Sequence, residues 1–188
     1  MNKQKRVIII HGAYGYPDEN WFPWLADQVE RAGHLAYRPA LPTPQGQELG
    51  NWRRQFAEQV GKLSPMTVLV GHSLGPGFIL DLLERAPVPV QGTFLVGGFL
   101  GKLGLPDFDS VNESFVCRDF DWPRIRQNAG ITRIYNSDND PYVPLERGRE
   151  LAALLGVELQ VIRGGGHINA AAGFTKFDRL WVDMQSVL

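Results

Sequence analysis

The chain has 188 residues, a formal net charge of −1, and 44% hydrophobic and 21% charged residues, values typical of a one-domain globular protein. The balanced charge argues against nucleic-acid binding, and a lone cysteine, Cys117, excludes an internal disulfide or a cysteine-rich zinc site. No apolar run is long enough for a membrane span or a signal peptide, so we expect one cytoplasmic domain over residues 1–188.

Six short, nearly continuous apolar runs are typical of parallel strands buried on both faces. They are Val7–Ile10, Leu35–Arg38, Thr67–Val70, Thr93–Val96, Ile131–Tyr135 and Glu158–Ile162. Apolar residues recur at helical spacing between most of these runs and after the last one. The helical segments are Trp21 to Gly33, Trp52 to Gly61, Leu74 to Arg85, Leu151 to Gly156 and Phe174 to Met184. This alternation predicts a three-layer α/β/α sandwich with a mainly parallel six-stranded sheet.

The stretch from Gly97 to Arg126 is less regular than the rest of the chain. It contains four glycines and two prolines, which interrupt any clear helical period. We interpret it as a long excursion over one end of the sheet that could form a small lid.

A G-x-S-x-G motif follows the third apolar run, as Gly71-His72-Ser73-Leu74-Gly75. Between a strand and a helix, this motif is typical of a nucleophile elbow, a strained turn that projects the serine hydroxyl above the sheet. Glycine is expected on both sides because larger side chains would collide there. The Leu74 N–H, at the start of the helix, is placed to stabilise an oxyanion. The structural alternative is a tight turn with a capping serine.

Histidine is the usual general base for a serine nucleophile, and the chain has four. His167 is the strongest candidate because it follows a flexible glycine run at the end of the last strand and lies after Ser73 in the chain. His72 leaves the elbow in another direction, His34 lies at a helix end, and His11 precedes the serine.

The acid that orients the base is expected between Ser73 and His167, after another strand. The run from Ser137 to Pro144 follows the fifth strand and contains both Asp138 and Asp140. The following proline favours an extended backbone at Asp140, so we prefer it to Asp138, which could instead bond to its own turn. Asp107 and Asp109 are a weaker third choice.

The loop after the first strand is the candidate source of the second oxyanion donor. Gly12 allows close backbone approach, and either Ala13 or Tyr14 would supply the N–H. A phosphate-binding loop is the alternative, but no G-x-G-x-x-G or G-x-x-x-x-G-K-[ST] motif is present.

Aromatic residues are concentrated near this loop, at Trp21, Trp24 and Trp52. Packing between helix and sheet is the favoured interpretation for the group, although they could also form a wall of the substrate pocket. We include Trp21 and His11 among the candidate substrate-binding residues. No histidine pair has the spacing of metal ligands, so we expect neither metal nor cofactor.

With these residues in place, the chain resembles the α/β-hydrolase superfamily. More narrowly, it resembles the small serine hydrolase family of retinoblastoma-binding protein 9 and its bacterial relatives. The segments that carry the resemblance are His11-Gly12, Asn20 to Leu25, the elbow Gly71 to Gly75, Ser137 to Pro144, and Gly166 to Asn169. The resemblance implies a triad of Ser73, Asp140 and His167 on a compact sheet without a large cap domain.

The expected function is that of a serine hydrolase that cleaves small carboxylic esters or related acyl substrates through an acyl-enzyme. Two other classes remain open at this point. One is an interaction protein that keeps the fold with little or no turnover, since fold alone does not fix function. The other is a flavodoxin-like nucleotide binder, which the missing phosphate loop disfavours. The sequence indicates no membrane, nucleic-acid or protein partner.

Overall fold

The structure, a computed structural model, describes residues 4–188 and is built on one open sheet. The strands are β1 (Arg6–Ile10), β2 (Leu35–Tyr37), β3 (Thr67–His72), β4 (Gly92–Val96), β5 (Ile131–Ser137) and β6 (Leu159–Ile162). They lie in the order β2-β1-β3-β4-β5-β6, and every pairing is parallel. The predicted six-stranded parallel sheet is confirmed, with strand ends shifted by at most two residues.

Helices cover both faces of the sheet. They are α1 (Phe22–Arg31), α2 (Leu49–Gln59), α3 (Gly75–Arg85), α4 (Pro106–Val116), α5 (Trp122–Asn128), α6 (Leu145–Leu155) and α7 (Asp178–Met184), with a 3-10 turn at Ala170–Ala172. Alternate strand residues face two apolar clusters. Ile8 and Leu69 pack with α2 to α6, whereas Val7 and Val68 pack with α1 and α7. This division gives the expected three layers. Within residues 4–188, no helix is long and apolar enough to cross a membrane.

The segment from Gly97 to Arg126 is more regular than the sequence indicates, because it contains α4 and α5. A proline stands in the first turn of each helix, where its missing N–H costs nothing. The interpretation of this stretch as irregular is therefore wrong for residues 106–116 and 122–128. The two prolines are the only sequence signal for these helices, because proline is common in the first turn of a helix as well as in loops.

The carboxyl ends of the parallel strands meet at one edge of the sheet, where ligands bind in open α/β folds. Gly12 follows β1, Ser73 follows β3, Gly97 follows β4, Asp140 follows β5 and His167 follows β6. The polar or glycine-rich loops that contain these residues come from distant parts of the chain and meet at this edge of the sheet. Gly97 has a φ of +62°, a backbone conformation that favours glycine, and a Cβ built on it would be in ordinary contact with His167 Cε1, at 3.6 Å.

Candidate active site

Ser73 lies on a strained turn between β3 and α3. Its backbone φ is +58°, in the left-handed region that residues other than glycine seldom occupy. The turn is held by a 2.8 Å hydrogen bond from the Ser73 N–H to the Val96 carbonyl of the neighbouring strand. This geometry is that of the predicted nucleophile elbow.

The two glycines of the motif are required by close packing. A Cβ on Gly75 would lie 2.6 Å from the Ile10 carbonyl oxygen, at the end of β1. A Cβ on Gly71 would lie 2.7 Å from the Ile79 side chain and 2.8 Å from the backbone of α3. All three distances are shorter than an ordinary van der Waals contact, so larger residues would push α3 away from the sheet.

His167 and Asp140 are in direct contact. His167 Nδ1 lies 2.7 Å from Asp140 Oδ2, and the Asp140 side chain is fully buried. The other carboxylate oxygen, Oδ1, accepts hydrogen bonds from the N–H groups of Tyr142 and Val143 at 2.9 and 3.0 Å. Three donors therefore surround the carboxylate, which fixes its orientation towards the histidine ring.

The competing acids lie elsewhere. Asp138 Oδ1 accepts a 2.7 Å bond from the Gly164 N–H, on the loop before His167. Asp109 accepts bonds from three backbone N–H groups at the start of α4, and Asp107 is exposed. Of the four candidate acids, Asp140 is the one that the structure places against His167.

Two buried side chains form hydrogen bonds with backbone carbonyl groups of the His167 loop. His72 Nε2 lies 2.9 Å from the His167 carbonyl oxygen, and Trp21 Nε1 donates to the Ile168 carbonyl at 2.9 Å. Ile168 has a φ of +48°, which is unfavourable for a β-branched residue. Trp21 is fully buried and does not line the cavity at Ser73. The structure thus contradicts its assignment to the substrate-binding residues and favours the packing interpretation.

Burial lowers the pKa of His72 to about 3, so its imidazole is neutral at ordinary pH and donates through Nε2. The unfolded chain binds a proton at this residue near pH 6.5, whereas the folded chain does not, so acidification favours unfolding. Between pH 6.5 and pH 4, His72 alone is expected to reduce the free energy of unfolding by about 3 kcal/mol. Glu19 offsets part of this loss, because burial raises its pKa to about 6.

Urea unfolding at several pH values checks this expectation in the wild type and in His72→Gln. Glutamine keeps an N–H for the His167 carbonyl but does not titrate, so the variant should lose less stability on acidification. Equal pH slopes for the two proteins would contradict the proposed cause.

The loop after β1 lies directly against the nucleophile. A Cβ on Gly12 would be 2.7 Å from the Ser73 Cβ and 3.2 Å from its Oγ. The Tyr14 N–H donates to Thr43 Oγ1 at 2.6 Å and is therefore occupied. Within residues 4–188, the N–H groups of Ala13 and Leu74 have no hydrogen-bond acceptor. The structure thus favours Ala13 over Tyr14 as the second oxyanion donor.

His11 supports this loop and does not line the cavity at Ser73. The ring is buried, with Nδ1 2.8 Å from the Gly12 carbonyl oxygen and Nε2 accepting from the Leu41 N–H at 3.1 Å. These two partners fix the neutral tautomer, with the proton on Nδ1. His11 therefore ties the β1 loop to the segment before α2, which corrects its assignment as a substrate-binding residue.

A cavity of about 180 Å³ opens above Ser73 and His167. Its lining includes the apolar residues Phe99, Leu103, Leu105, Phe108 and Val143, together with polar residues that include Glu19, Asn20, Asn112 and Asn169. Among the lining residues of the described part of the chain, Glu19 is the only Asp, Glu, Lys or Arg. Within residues 4–188, no cluster of three His, Cys, Asp or Glu side chains is suited to hold a metal ion.

Three aromatic rings from separate segments meet beside the cavity. The Tyr14 and Phe108 ring centroids are 5.2 Å apart, those of Phe108 and Tyr142 are 5.9 Å apart, and those of Tyr142 and His167 are 5.1 Å apart. Phe108 lies on α4, so this helix contributes to the lining of the cavity, and its role as a lid stays a prediction. Phe108, Tyr142, Glu19 and Asn112 belong to no motif, so the sequence does not predict their place in the lining.

Residues 7–186 match the family described as Serine hydrolase. YdeN from Bacillus subtilis (strain 168) is 32% identical over 173 residues, which cover 91% of this chain and 90% of YdeN. The serine hydrolase RBBP9 from Rattus norvegicus is 23% identical over 170 residues, or 89% of each chain. These relatives are of the kind that the sequence resemblance predicts.

Solved structures agree with the architecture. The crystal structure of the ydeN gene product from B. subtilis superposes with a TM-score of 0.90 at 30% identity and covers 98% of both chains. MGS-MChE2, an alpha/beta hydrolase enzyme from a lagoon-sediment metagenome, gives a TM-score of 0.70 at 20% identity and covers 98% of this chain and 92% of its own. The predicted α/β-hydrolase fold is therefore confirmed.

Proposed function

Because the chain belongs to the serine hydrolase family, we propose that it hydrolyses small carboxylic esters through an acyl-enzyme on Ser73. The observation that carries this proposal is the 2.7 Å contact between His167 Nδ1 and Asp140 Oδ2 beside the cavity that Ser73 lines. A serine, a histidine and a buried carboxylate in this order are the parts that nucleophilic acyl transfer needs.

In the first half of the reaction, Ser73 Oγ attacks the ester carbonyl while His167 Nε2 takes the hydroxyl proton. Asp140 keeps the proton of the neutral ring on Nδ1 and stabilises the imidazolium that forms. The N–H groups of Leu74 and Ala13 bind the oxyanion of the tetrahedral intermediate, where negative charge develops. The intermediate then collapses, and His167 gives its proton to the departing alcohol.

In the second half, a water molecule takes the place of the alcohol. His167 accepts a proton from this water as it attacks the acyl-enzyme carbonyl, and the same two N–H groups bind the new oxyanion. The acid leaves, and the proton returns to Ser73 Oγ. Thioesters and activated amides undergo the same steps, so they are also possible substrates.

The size of the cavity supports small acyl groups. At about 180 Å³, it is below the 300–1,000 Å³ range of typical pockets for drug-sized ligands. Its apolar lining residues would bind a short hydrocarbon chain, because burying each methylene contributes roughly 0.8 kcal/mol.

Labelling with a fluorophosphonate tests the proposal without knowledge of the substrate. We expect one adduct per chain, located on the Ser73 peptide by mass spectrometry and lost in His167→Ala, because only an activated serine attacks the phosphorus rapidly. Folded protein that forms no adduct would contradict the proposal. It would favour an interaction protein that keeps the fold.

A further inference from the structure

Asn112 is one of the residues that line the cavity at Ser73. It belongs to α4 and is 2% exposed, and its neighbours in the cavity wall include Leu105 and Phe108. A buried amide in an apolar wall is unfavourable unless both of its polar ends have partners. Which end of this amide has a partner follows from a chain of hydrogen bonds that begins on the β1 loop.

The first link in this chain is a backbone donor, which cannot be assigned in two ways. The Tyr14 N–H donates to Thr43 Oγ1, so the single hydroxyl proton of Thr43 is free to donate elsewhere. It is directed to Gln47 Oε1, with which Thr43 Oγ1 is hydrogen-bonded. The Val111 carbonyl on α4 can only accept, so it binds the Gln47 nitrogen, and the oxygen of the Gln47 amide faces Thr43.

The second link fixes Asn112. Gln47 Nε2 donates one proton to the Val111 carbonyl at 3.0 Å and the other to Asn112 Oδ1 at 2.8 Å. Asn112 thus turns its oxygen towards Gln47, and its Nδ2 is left with two protons. Within residues 4–188, no acceptor binds this Nδ2. The unused donor belongs to a residue that lines the cavity at Ser73.

We propose that Asn112 Nδ2 binds an uncharged oxygen acceptor of the substrate, an ether, hydroxyl or carbonyl oxygen in the part that lies under α4. This inference rests on the proposed function. It narrows the substrate class to esters that carry a further acceptor oxygen outside the ester group. A site with a fixed donor discriminates against an analogue that lacks the acceptor. The bound analogue covers the N–H and leaves it without a hydrogen-bond partner. Glu19, in the same cavity, disfavours a second carboxylate as the acceptor.

The test compares esters in which one ether oxygen replaces a methylene. On the acyl side, the pair is 4-nitrophenyl 3-methoxypropanoate and 4-nitrophenyl pentanoate. On the alcohol side, it is 2-methoxyethyl acetate and butyl acetate. The measured quantity is the ratio of kcat/KM for the ether to kcat/KM for the alkyl ester. Differences in the intrinsic reactivity of the esters cancel when this ratio is compared between wild type and Asn112→Leu.

We expect the ratio to fall about fivefold or more in Asn112→Leu for one of the two pairs, the effect of losing one buried hydrogen bond. The affected pair identifies the half of the substrate that lies under α4. Asn112→Asp keeps an oxygen for Gln47 and places another oxygen in the cavity, so it should lower the same ratio without breaking the hydrogen-bond chain. Ser110→Ala, an exposed position on the same helix, should leave the ratio unchanged.

Ratios that stay within threefold of wild type for both pairs and both Asn112 variants would overturn the inference. Continued turnover of the alkyl esters in that case would leave the proposed function standing. If no ester is hydrolysed and the fluorophosphonate does not label Ser73, the proposed function fails, and the inference fails with it.

Discussion

Replacing Ser73 with alanine is expected to lower kcat for small esters by about 10⁶-fold, because removing the nucleophile of an acyl-transfer triad leaves only oxyanion and binding contributions. The change removes a single oxygen atom. Alanine occupies the same left-handed backbone region at about the same cost as serine, with φ near +58°. We therefore expect the free energy of unfolding to change by less than about 1 kcal/mol.

Steady-state hydrolysis of 4-nitrophenyl acetate measures this effect, with urea unfolding as the test of stability. Ser186→Ala is the matched control, because it removes an exposed hydroxyl at the carboxyl-terminal end of the chain. An Ser73→Ala protein that keeps full esterase activity would exclude Ser73 as the nucleophile, whatever the behaviour of the control.

Replacing Asp140 with asparagine is expected to lower kcat by about 10³-fold to 10⁴-fold while the fold is kept. The reason lies in the different hydrogen-bond donors of the two Asp140 carboxylate oxygens. Because Oδ1 accepts from the N–H groups of Tyr142 and Val143, the oxygen of the asparagine amide will occupy that position. Its NH₂ group then faces His167 Nδ1, which must become an acceptor. The ring proton moves to Nε2, and the histidine can no longer accept the Ser73 proton.

Asp138→Asn is the matched control, two residues away in the same loop. Asp138 bonds to the Gly164 N–H, and an asparagine oxygen can accept that bond equally well. We expect its kcat to stay within about threefold of wild type, as for a neutral exposed substitution. Equal losses in the two variants would mean that the loop as a whole, and not the Asp140–His167 contact, supports turnover.

The parts of the fold that sequence predicts well are those with a local cause. A buried parallel strand is apolar throughout, so runs such as Val7–Ile10 and Thr93–Val96 identify the sheet without any knowledge of its neighbours. The signal for the turn at Ser73 is also local. Glycine is required two residues before and two residues after Ser73 because a larger side chain would collide there. His167 follows from chain order together with the glycine run before it.

The parts that sequence could not predict depend on residues far apart in the chain. The hydrogen-bond chain from Tyr14 through Thr43 and Gln47 to Asn112 joins three segments, and none of its members belongs to a motif. The sequence also leaves the role of Trp21 open, because a large aromatic side chain is equally common in a pocket wall and in a core. Its indole N–H, which meets the Ile168 carbonyl, decides the matter only once the fold is known.

The close packing of Gly75 against the Ile10 carbonyl and of Gly12 against Ser73 has a consequence for how relatives of this protein diverge. Ser73, Gly12 and Gly75 form one tightly packed block with the ends of the central strands, so substitutions there are costly. The segment from Gly97 to Arg126 lines the cavity, with Asn112 among its residues, but carries none of the groups proposed for the acyl-transfer steps. New substrate preferences are therefore expected to arise in this segment, while the block beneath it stays the same.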